Sequence, residues 1–312
     1  MELAPELEPC GVVVIDKPLG WTSRDLVNKV GRLYDTRSAG HAGTLDPQAS
    51  GVLTIAMGEA TKLVTRLMDA PKTYVAEITF GSETLSDDAS GAVVRTAPLP
   101  VGLTADKLQV LLAGWLGELP QVPPQVSALQ RGGVRDHKRV RMGEVVVREA
   151  RPVQLYEAEV LSASPVAATL RLRVGSGFYV RALARDLGNA VQSAAHLNTL
   201  RRTHGCGFDV AEAVTVEALA AMSQEQRLGN LLPLLDVAAR LLPVVQVDAA
   251  MALALRQGRR LPWQAEANTE LLMAHGSTAV AMVRVDDGHL VVSRGFAHAS
   301  LPRVTAVDGT VA

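Results

Sequence analysis

The sequence predicts a mixed α+β protein whose larger part contains a central, largely antiparallel sheet. Three observations support this fold class. Short apolar runs alternate with stretches of helical periodicity, neighbouring strand-like runs follow one another, and the last part of the chain has an all-β pattern. The chain has 312 residues, of which 48% are hydrophobic, so it can form one large domain and one small one.

Turn residues and periodicity assign the elements in chain order. An apolar run that ends at a Pro-Gly turn favours a strand, and Thr22 and Ser23 before apolar residues at helical spacing indicate a capped helix. The pattern predicts strands over residues 12–15, 52–57, 74–80, 155–161 and 168–174, and helices over residues 22–33, 59–68, 104–116 and 180–194. Residues 37–51, 81–91 and 121–151 are rich in polar and turn-forming residues, which predicts loops.

The character of the sequence changes near residue 240. A short helix is predicted over residues 251–257, and two apolar runs at 279–285 and 289–293 flank Asp286-Asp287-Gly288. Two such runs around a glycine turn are typical of a β-hairpin. We therefore expect a domain of residues 1–240, with 121–151 as an exposed excursion, and a small β-rich domain of residues 241–312.

Composition excludes several classes of protein. No apolar run approaches the ~18–20 residues of a membrane helix, and the acidic, Pro-interrupted start is unlike a signal peptide. Cys10 and Cys206 are too few for a disulfide framework or a cysteine-rich metal site. We expect a cytoplasmic protein with two reduced thiols and no metal.

Positive charge is unevenly distributed along the chain. Residues 131–151 contain seven Lys and Arg against three acids, whereas residues 206–312 contain eight Arg, no Lys and eleven acids. A net charge of −1 argues against non-specific coating of nucleic acid. The basic segment fits either a solvated surface or an RNA contact, and its composition leaves both open.

Residues 40–51, with the sequence GHAGTLDPQASG, are the most informative segment. Their glycines allow sharp turns and close approach to a ligand, and Asp46 is held beside the rigid ring of Pro47. Considered alone, the position of Asp46 before proline favours a turn-forming role over a catalytic one. The sequence here lacks the Gly-Lys-Ser/Thr of a phosphate loop, a cluster of metal ligands, and the Gly-x-Ser-x-Gly of an acyl-transfer nucleophile.

This segment resembles the TruB family of pseudouridine synthases, which carries it as G-H-x-G-x-L-D-P-x-A-x-G. The resemblance runs from about residue 11 to residue 240, and more loosely into the tail. Other segments that match the family pattern are residues 14–23, 58–62, 72–74, 127–129, 148–152, 177–181, 186–188 and 200–202. The resemblance implies a pseudouridine synthase catalytic domain followed by a small PUA-like RNA-binding domain.

Transferred position by position, the resemblance implies a set of site residues. Asp46 matches the catalytic carboxylate, Tyr74 the tyrosine that stacks on the target uracil, and Arg181 the basic residue that pairs with the carboxylate. The substrate-binding positions are Tyr179 and Leu200 in the pocket wall, His41 against the reorganised RNA loop, and Lys17 in a supporting role. We also assign RNA contacts to Arg131, Arg139, Arg141, Arg151 and Arg202.

The implied reaction is isomerisation of one T-loop uridine of tRNA, at position 55, to pseudouridine. The C1′–N1 bond breaks and C1′ joins C5 with no redox change, so no cofactor is expected. A carboxylate can act as a covalent nucleophile; attack at C6, attack at C1′ and proton abstraction all stay open. The uracil must leave its stack at a cost of roughly a few kcal/mol, and aromatic stacking returns ~1–3 kcal/mol.

The chain departs from the family pattern in the excursion. Val126 stands where relatives have an aromatic residue, and cations replace aromatic residues at 133–139. This difference predicts that residues 121–151 hold the RNA more through phosphate contacts than the same segment of the relatives does. We expect the T-arm of tRNA as partner, no obligatory protein partner and a monomer. Two alternatives are a tRNA-folding chaperone, in which binding rather than catalysis is the main role, and a synthase for another RNA.

Overall fold

The computed structural model describes residues 9–125, 130–131, 134–135 and 149–297, with side chains described in 9–125 and 149–297. Its strands are β1 Gly11–Lys17, β2 Ala39–Ala42, β3 Ala49–Met57, β4 Lys72–Phe80, β5 Ser82–Thr84, β6 Val93–Thr96, β7 Gly117–Gln121, β8 Gln130–Arg131, β9 Val134–Arg135, β10 Arg151–Ala163, β11 Ala167–Val174, β12 Ala195–Gly205, β13 Phe208–Asp209, β14 Val214–Thr215, β15 Val244–Gln246, β16 Leu261–Pro262, β17 Glu270–His275, β18 Thr278–Asp286 and β19 His289–Gly295.

Along the chain, most helices occur between strands of the larger sheet or directly after its last strand. They are α1 Ser23–Leu33, α2 Val64–Asp69, α3 Ala105–Ala113, α4 Val180–Ala190, α5 Val216–Ala221, α6 Gln224–Gly229, α7 Leu234–Ala239 and α8 Ala249–Arg256, with 3-10 turns at Gly58–Leu63 and Val210–Glu212. Within the described part of the chain, no helix is long and apolar enough to cross a bilayer.

A ten-stranded sheet forms the centre of the larger part of the molecule. Its main order is β14-β1-β3-β12-β4-β11-β10-β7, and all neighbours except β1–β14 and β3–β12 are antiparallel. The fold class predicted from the sequence is therefore confirmed. A second, five-stranded sheet with the order β15-β17-β18-β19-β16 forms the β-rich C-terminal part.

The central strand β12 brings the segments of the site together. It runs parallel to β3, pairing Arg202 with Gly51, and antiparallel to β4, pairing Arg202 with Tyr74. The sequence pattern does not predict this strand. Its burial does not alternate, because polar residues such as Arg202 are buried inside the sheet where other strands carry apolar side chains.

Helices cover the sheet with apolar side chains at helical spacing. Leu26, Val27 and Val30 of α1 pack on β1 and β3, and Leu183 and Leu187 of α4 belong to the cluster of β4, β11 and β12. A third cluster joins β1 and β3 to the second sheet. The two sheets therefore share packed apolar side chains. The domain boundary at residue 240 stays a prediction.

Several element boundaries differ from the sequence-based prediction. The helix predicted at 59–68 is a 3-10 turn followed by α2, α3 is shorter than predicted, and α4 ends at Ala190. The loop predicted at 37–51 contains β2 and the start of β3, and the loop at 81–91 contains β5. Gln121 and Arg151, the predicted ends of the excursion, are paired residues of β7 and β10.

Candidate active site

The loop between β2 and β3 carries Asp46 and is anchored by the start of α1. The buried Ser23 hydroxyl donates to the carbonyl of Leu45 (3.0 Å) and accepts from the Leu45 N–H (2.9 Å). The Gly20 N–H donates to the Pro47 carbonyl over 2.8 Å. These contacts fix the backbone on both sides of Asp46, so the carboxylate is presented from a rigid loop.

Gly51 is the motif glycine for which the structure gives a clear steric reason. Its φ is +102°, and a Cβ atom there would lie 2.1 Å from the backbone oxygen of Arg202. The positive φ and the close approach of two parallel strands both require glycine. The end of the motif therefore fixes how closely β3 and β12 meet beneath the loop.

Arg181 pairs with Asp46 and is itself held from behind. Its Nε lies 3.0 Å from Oδ2 of Asp46, and its Nη1 donates to the carbonyl of Ser86 over 3.0 Å. The same Nη1 lies 3.7 Å from a carboxylate oxygen of Asp88. The Arg181 side chain is only 8% exposed, whereas that of Asp46 is 40% exposed. A fixed guanidinium thus orients a carboxylate that a substrate can reach.

Asp46 and Arg181 open into a cavity of about 240 Å³. Tyr74 of β4, Leu200 of β12 and Tyr179 at the start of α4 form much of its wall. The cavity thus combines one accessible carboxylate with aromatic and aliphatic surfaces, which suits a flat, uncharged ring.

The side chain of Gln121 fixes the backbone of Tyr179. Its amide donates to the Tyr179 carbonyl (3.1 Å) and its amide oxygen accepts from the Tyr179 N–H (2.8 Å). Arg151 lies over the Tyr179 ring at 5.2 Å from the centroid and donates to the carbonyl of Gly177. Two residues at the ends of the excursion, Gln121 and Arg151, therefore support this wall of the cavity.

Lys17 is buried behind the loop rather than in the cavity wall. Its Nζ donates to the carbonyls of Ala49 (2.7 Å) and Pro18 (2.9 Å). Burial lowers the pKa of Lys17 to about 8; the charge of Asp46 opposes this shift and that of Arg202 adds to it. This position fits the supporting role expected for Lys17.

Arg202 is one of the residues that line the cavity, but it is almost completely buried. Its Nε donates to the Val52 carbonyl (2.6 Å) and its Nη2 to the Gly43 carbonyl (3.3 Å). These bonds link β12 to the start of the Asp46 loop. The guanidinium is thus occupied by the protein backbone, and an RNA contact by Arg202 stays a prediction.

His41 lies on β2, outside the residues that line the cavity. Its Nδ1 is buried without a hydrogen-bond partner among the described residues. Burial lowers the pKa of His41, and the charges of Arg202 and Arg24 lower it further. A lowered pKa favours the neutral imidazole, whose Nδ1 can accept or donate one hydrogen bond.

The structure brings together most of the residues assigned from the sequence. Asp46, Tyr74, Arg181, Tyr179 and Leu200 share one cavity. The side chains of Arg131, Arg139 and Arg141, and the position of Val126, lie outside the described residues.

Three supporting residues were not assigned from the sequence: Gln121, Ser86 and Asp88. Ser86 and Asp88 lie in a polar stretch whose composition is typical of a solvated loop, yet both are buried. A cluster of hydroxyl and carboxylate residues at 84–90 was the available signal, but it does not distinguish a buried network from an exposed turn.

Comparison with known proteins decides the family. The TruB family pseudouridylate synthase (N terminal domain) model matches residues 31–180. The tRNA pseudouridine synthase B of Aromatoleum aromaticum is 43% identical over 251 residues, which are 80% of each chain. A protein of the same name from Ralstonia nicotianae is 38% identical over 311 residues, 98% of this chain and 93% of the relative. The chain belongs to the TruB family.

Solved structures show the same fold at lower identity. A chain of an H/ACA ribonucleoprotein bound to a substrate RNA containing 2′-deoxyuridine has a TM-score of 0.70 and 22% identity, covering 95% of this chain and 87% of that one. A chain of a Cbf5–Nop10–Gar1 complex has a TM-score of 0.71 and 23% identity, covering 92% and 85%. These neighbours support the fold of this TruB-family protein, with its central sheet and β-rich C-terminal part.

Proposed function

We propose that this TruB-family enzyme isomerises the T-loop uridine at position 55 of tRNA to pseudouridine, with Asp46 as the reacting carboxylate. The observation that carries the proposal is the accessible carboxylate of Asp46, paired with buried Arg181 and facing a cavity with aromatic walls. The names of the similar proteins, which are tRNA pseudouridine synthases, support tRNA as the substrate.

The walls of the cavity suit an extruded uracil. Tyr74 provides a ring for stacking, and Tyr179 and Leu200 provide further apolar surface. Stacking on an aromatic ring contributes ~1–3 kcal/mol, which offsets much of the roughly few kcal/mol needed to unstack the base. Tyr74 also carries a hydroxyl that can help move the C5 proton.

Asp46 must be ionised and close to the base for the reaction. Arg181 pairs with the carboxylate and orients it, and the buried Lys17 ammonium adds positive potential from behind. The C1′–N1 bond breaks, the uracil turns, and C1′ bonds to C5; C5 then loses its proton and N1 takes one up. Nothing is oxidised or reduced, so the chemistry requires no cofactor.

We also propose roles in tRNA binding for the parts of the chain outside the cavity. Residues 241–312 act as a PUA-like domain that helps to hold tRNA, and residues 121–151 grip the T-arm. Arg151, beside Tyr179, is placed to extend that grip to the rim of the cavity. The protein acts as a monomer in the cytoplasm.

A competition between RNAs tests the substrate. The enzyme would be incubated with a mixture of tRNA transcript, isolated T-arm hairpin and ribosomal RNA fragments, and pseudouridine would be mapped by carbodiimide modification and primer extension. We expect modification of tRNA and T-arm at position 55. Modification confined to ribosomal fragments would contradict the proposed substrate, and tight tRNA binding without modification would favour the chaperone.

A further inference from the structure

A second cavity, of about 340 Å³, lies against α1 and the segment that joins it to β2. Three arginines, Arg24, Arg32 and Arg37, contribute to its lining, together with Asn28 and Thr36. It shares no lining residue with the cavity at Asp46. The mechanism proposed above does not use it.

Helix geometry places these side chains on one face. Arg24, Asn28 and Arg32 are spaced four residues apart along α1, so they form a single exposed stripe. At ~1.5 Å per residue, Arg24 and Arg32 lie about 12 Å apart along the helix axis. Arg37, from the connection to β2, adds a third guanidinium.

These arginines differ from the paired arginines elsewhere on the described surface. Arg171 and Arg173 on β11 pair with Glu159 and Glu157, for example. None of the three cavity arginines forms an ion pair within residues 9–125 and 149–297. The nearby Asp25 is bound to Thr22 in the cap of α1, and neither it nor Asp35 lines the cavity. Within the described part of the chain, three uncompensated guanidiniums therefore converge on one concavity.

The second cavity lies close along the chain to the loop that carries Asp46. Ser23, next to Arg24, bonds to the Asp46 loop through Leu45. Ala39 lines the second cavity and begins β2, and only seven residues separate it from Asp46. At most ~3.6 Å per residue, the two cavities are within about 25 Å of each other along this path.

We propose that the cavity of Arg24, Arg32 and Arg37 binds backbone phosphates of the same RNA whose uridine enters the active site. The inference rests on the proposed function. Arginine forks match phosphate oxygens in bidentate geometry, and a concave surface of one charge strengthens the local potential. With a net charge of −1, the protein needs such local clusters to hold a polyanion.

The test is the salt dependence of tRNA binding by Arg32→Ala/Arg37→Ala. Each lost phosphate contact reduces the slope of log K against log salt by about 0.9. Loss of two contacts therefore makes the ratio of variant to wild-type Kd fall about 12-fold between roughly 0.05 and 0.2 M salt. Turnover at saturating tRNA should stay unchanged, because neither residue touches the reacting cavity.

The double variant Arg171→Ala/Arg173→Ala is the matched control, since it removes the same formal charge from paired arginines. It should leave the slope at the wild-type value. An unchanged slope in Arg32→Ala/Arg37→Ala, or an equal change in the control, would overturn the inference. Pseudouridine formation by the wild type is measured in parallel, so failure of the proposed function is recognised separately.

Discussion

A comparison of Ser23→Ala with Thr22→Ala should separate two effects of the start of α1. One is the positioning of the loop that carries Asp46, and the other is the stability of the helix. The Ser23 hydroxyl satisfies both backbone groups of Leu45, and the residue is only 3% exposed. Each buried backbone group left unpaired costs ~1–3 kcal/mol, so the substitution is expected to cost about 2–6 kcal/mol if the loop stays in place. Movement of the loop to reach water would lower this cost but displace Asp46.

Thr22→Ala provides the matched control one residue earlier. Thr22 caps α1 through a reciprocal pair of bonds with Asp25 but makes no such bond to the catalytic loop. Loss of this cap is expected to cost ~0.5–2 kcal/mol without moving Asp46. Both variants therefore lose stability, and only Ser23→Ala should lose catalysis.

Urea denaturation gives the free energy of unfolding, and single-turnover pseudouridine formation at saturating tRNA gives the rate. A displacement of ~1 Å can cost about 100-fold, so we expect Ser23→Ala to react at least about 10-fold slower. Thr22→Ala should react at close to the wild-type rate. Equal rates for Ser23→Ala and wild type, with the variant folded, would refute the argument that Ser23 positions Asp46.

Other predictions concern the groups around the loop. The pKa of Lys17 is lowered to about 8 in the folded protein, so above that pH the unfolded chain binds more protons than the folded one. The free energy of unfolding of wild type, relative to that of Lys17→Met, should therefore rise by about 2–3 kcal/mol from roughly pH 7 to pH 10. Urea titrations at each pH measure this difference. Gly51→Ala should cost at least about 3 kcal/mol, because its Cβ would collide with the backbone of Arg202. Gln121→Ala removes two bonds to Tyr179 and should raise KM about tenfold.

Each of these predictions has a contradicting result. A stability difference for Lys17→Met that does not vary with pH would show that Lys17 is not the titrating group. Gly40→Ala is the control for Gly51→Ala, because a Cβ atom at Gly40 would meet no described atom within 4 Å, and equal stabilities of the two variants would contradict the steric argument. An unchanged KM in Gln121→Ala would show that the Tyr179 wall does not depend on Gln121.

The sequence predicts those elements whose side chains follow a simple period. The helix α1 is predicted nearly to the residue because its cap and its apolar positions agree. The strand β12 is not predicted, because Arg202 is buried there and bonds to backbone carbonyls from neighbouring segments. Such a position breaks the apolar pattern, and its partners are distant in sequence.

The candidate site shows the same limit. Motifs locate Asp46, Tyr74 and Arg181, and the structure places all three at one cavity. Motifs do not locate Gln121 and Asp88, because each acts through another residue. Gln121 fixes the backbone of Tyr179, and Asp88 faces Arg181. Contacts of this kind follow from the sheet order, which a period of hydrophobic residues does not encode.

The most direct test of the account is tritium release from tRNA labelled at C5 of uridine, comparing wild type with Asp46→Asn. The isosteric amide keeps the shape of the loop but removes the carboxylate, so tRNA binding should persist. We predict release of a single tritium per tRNA by wild type and none by Asp46→Asn. Release by Asp46→Asn at the wild-type rate would contradict the assignment of Asp46 as the reacting group.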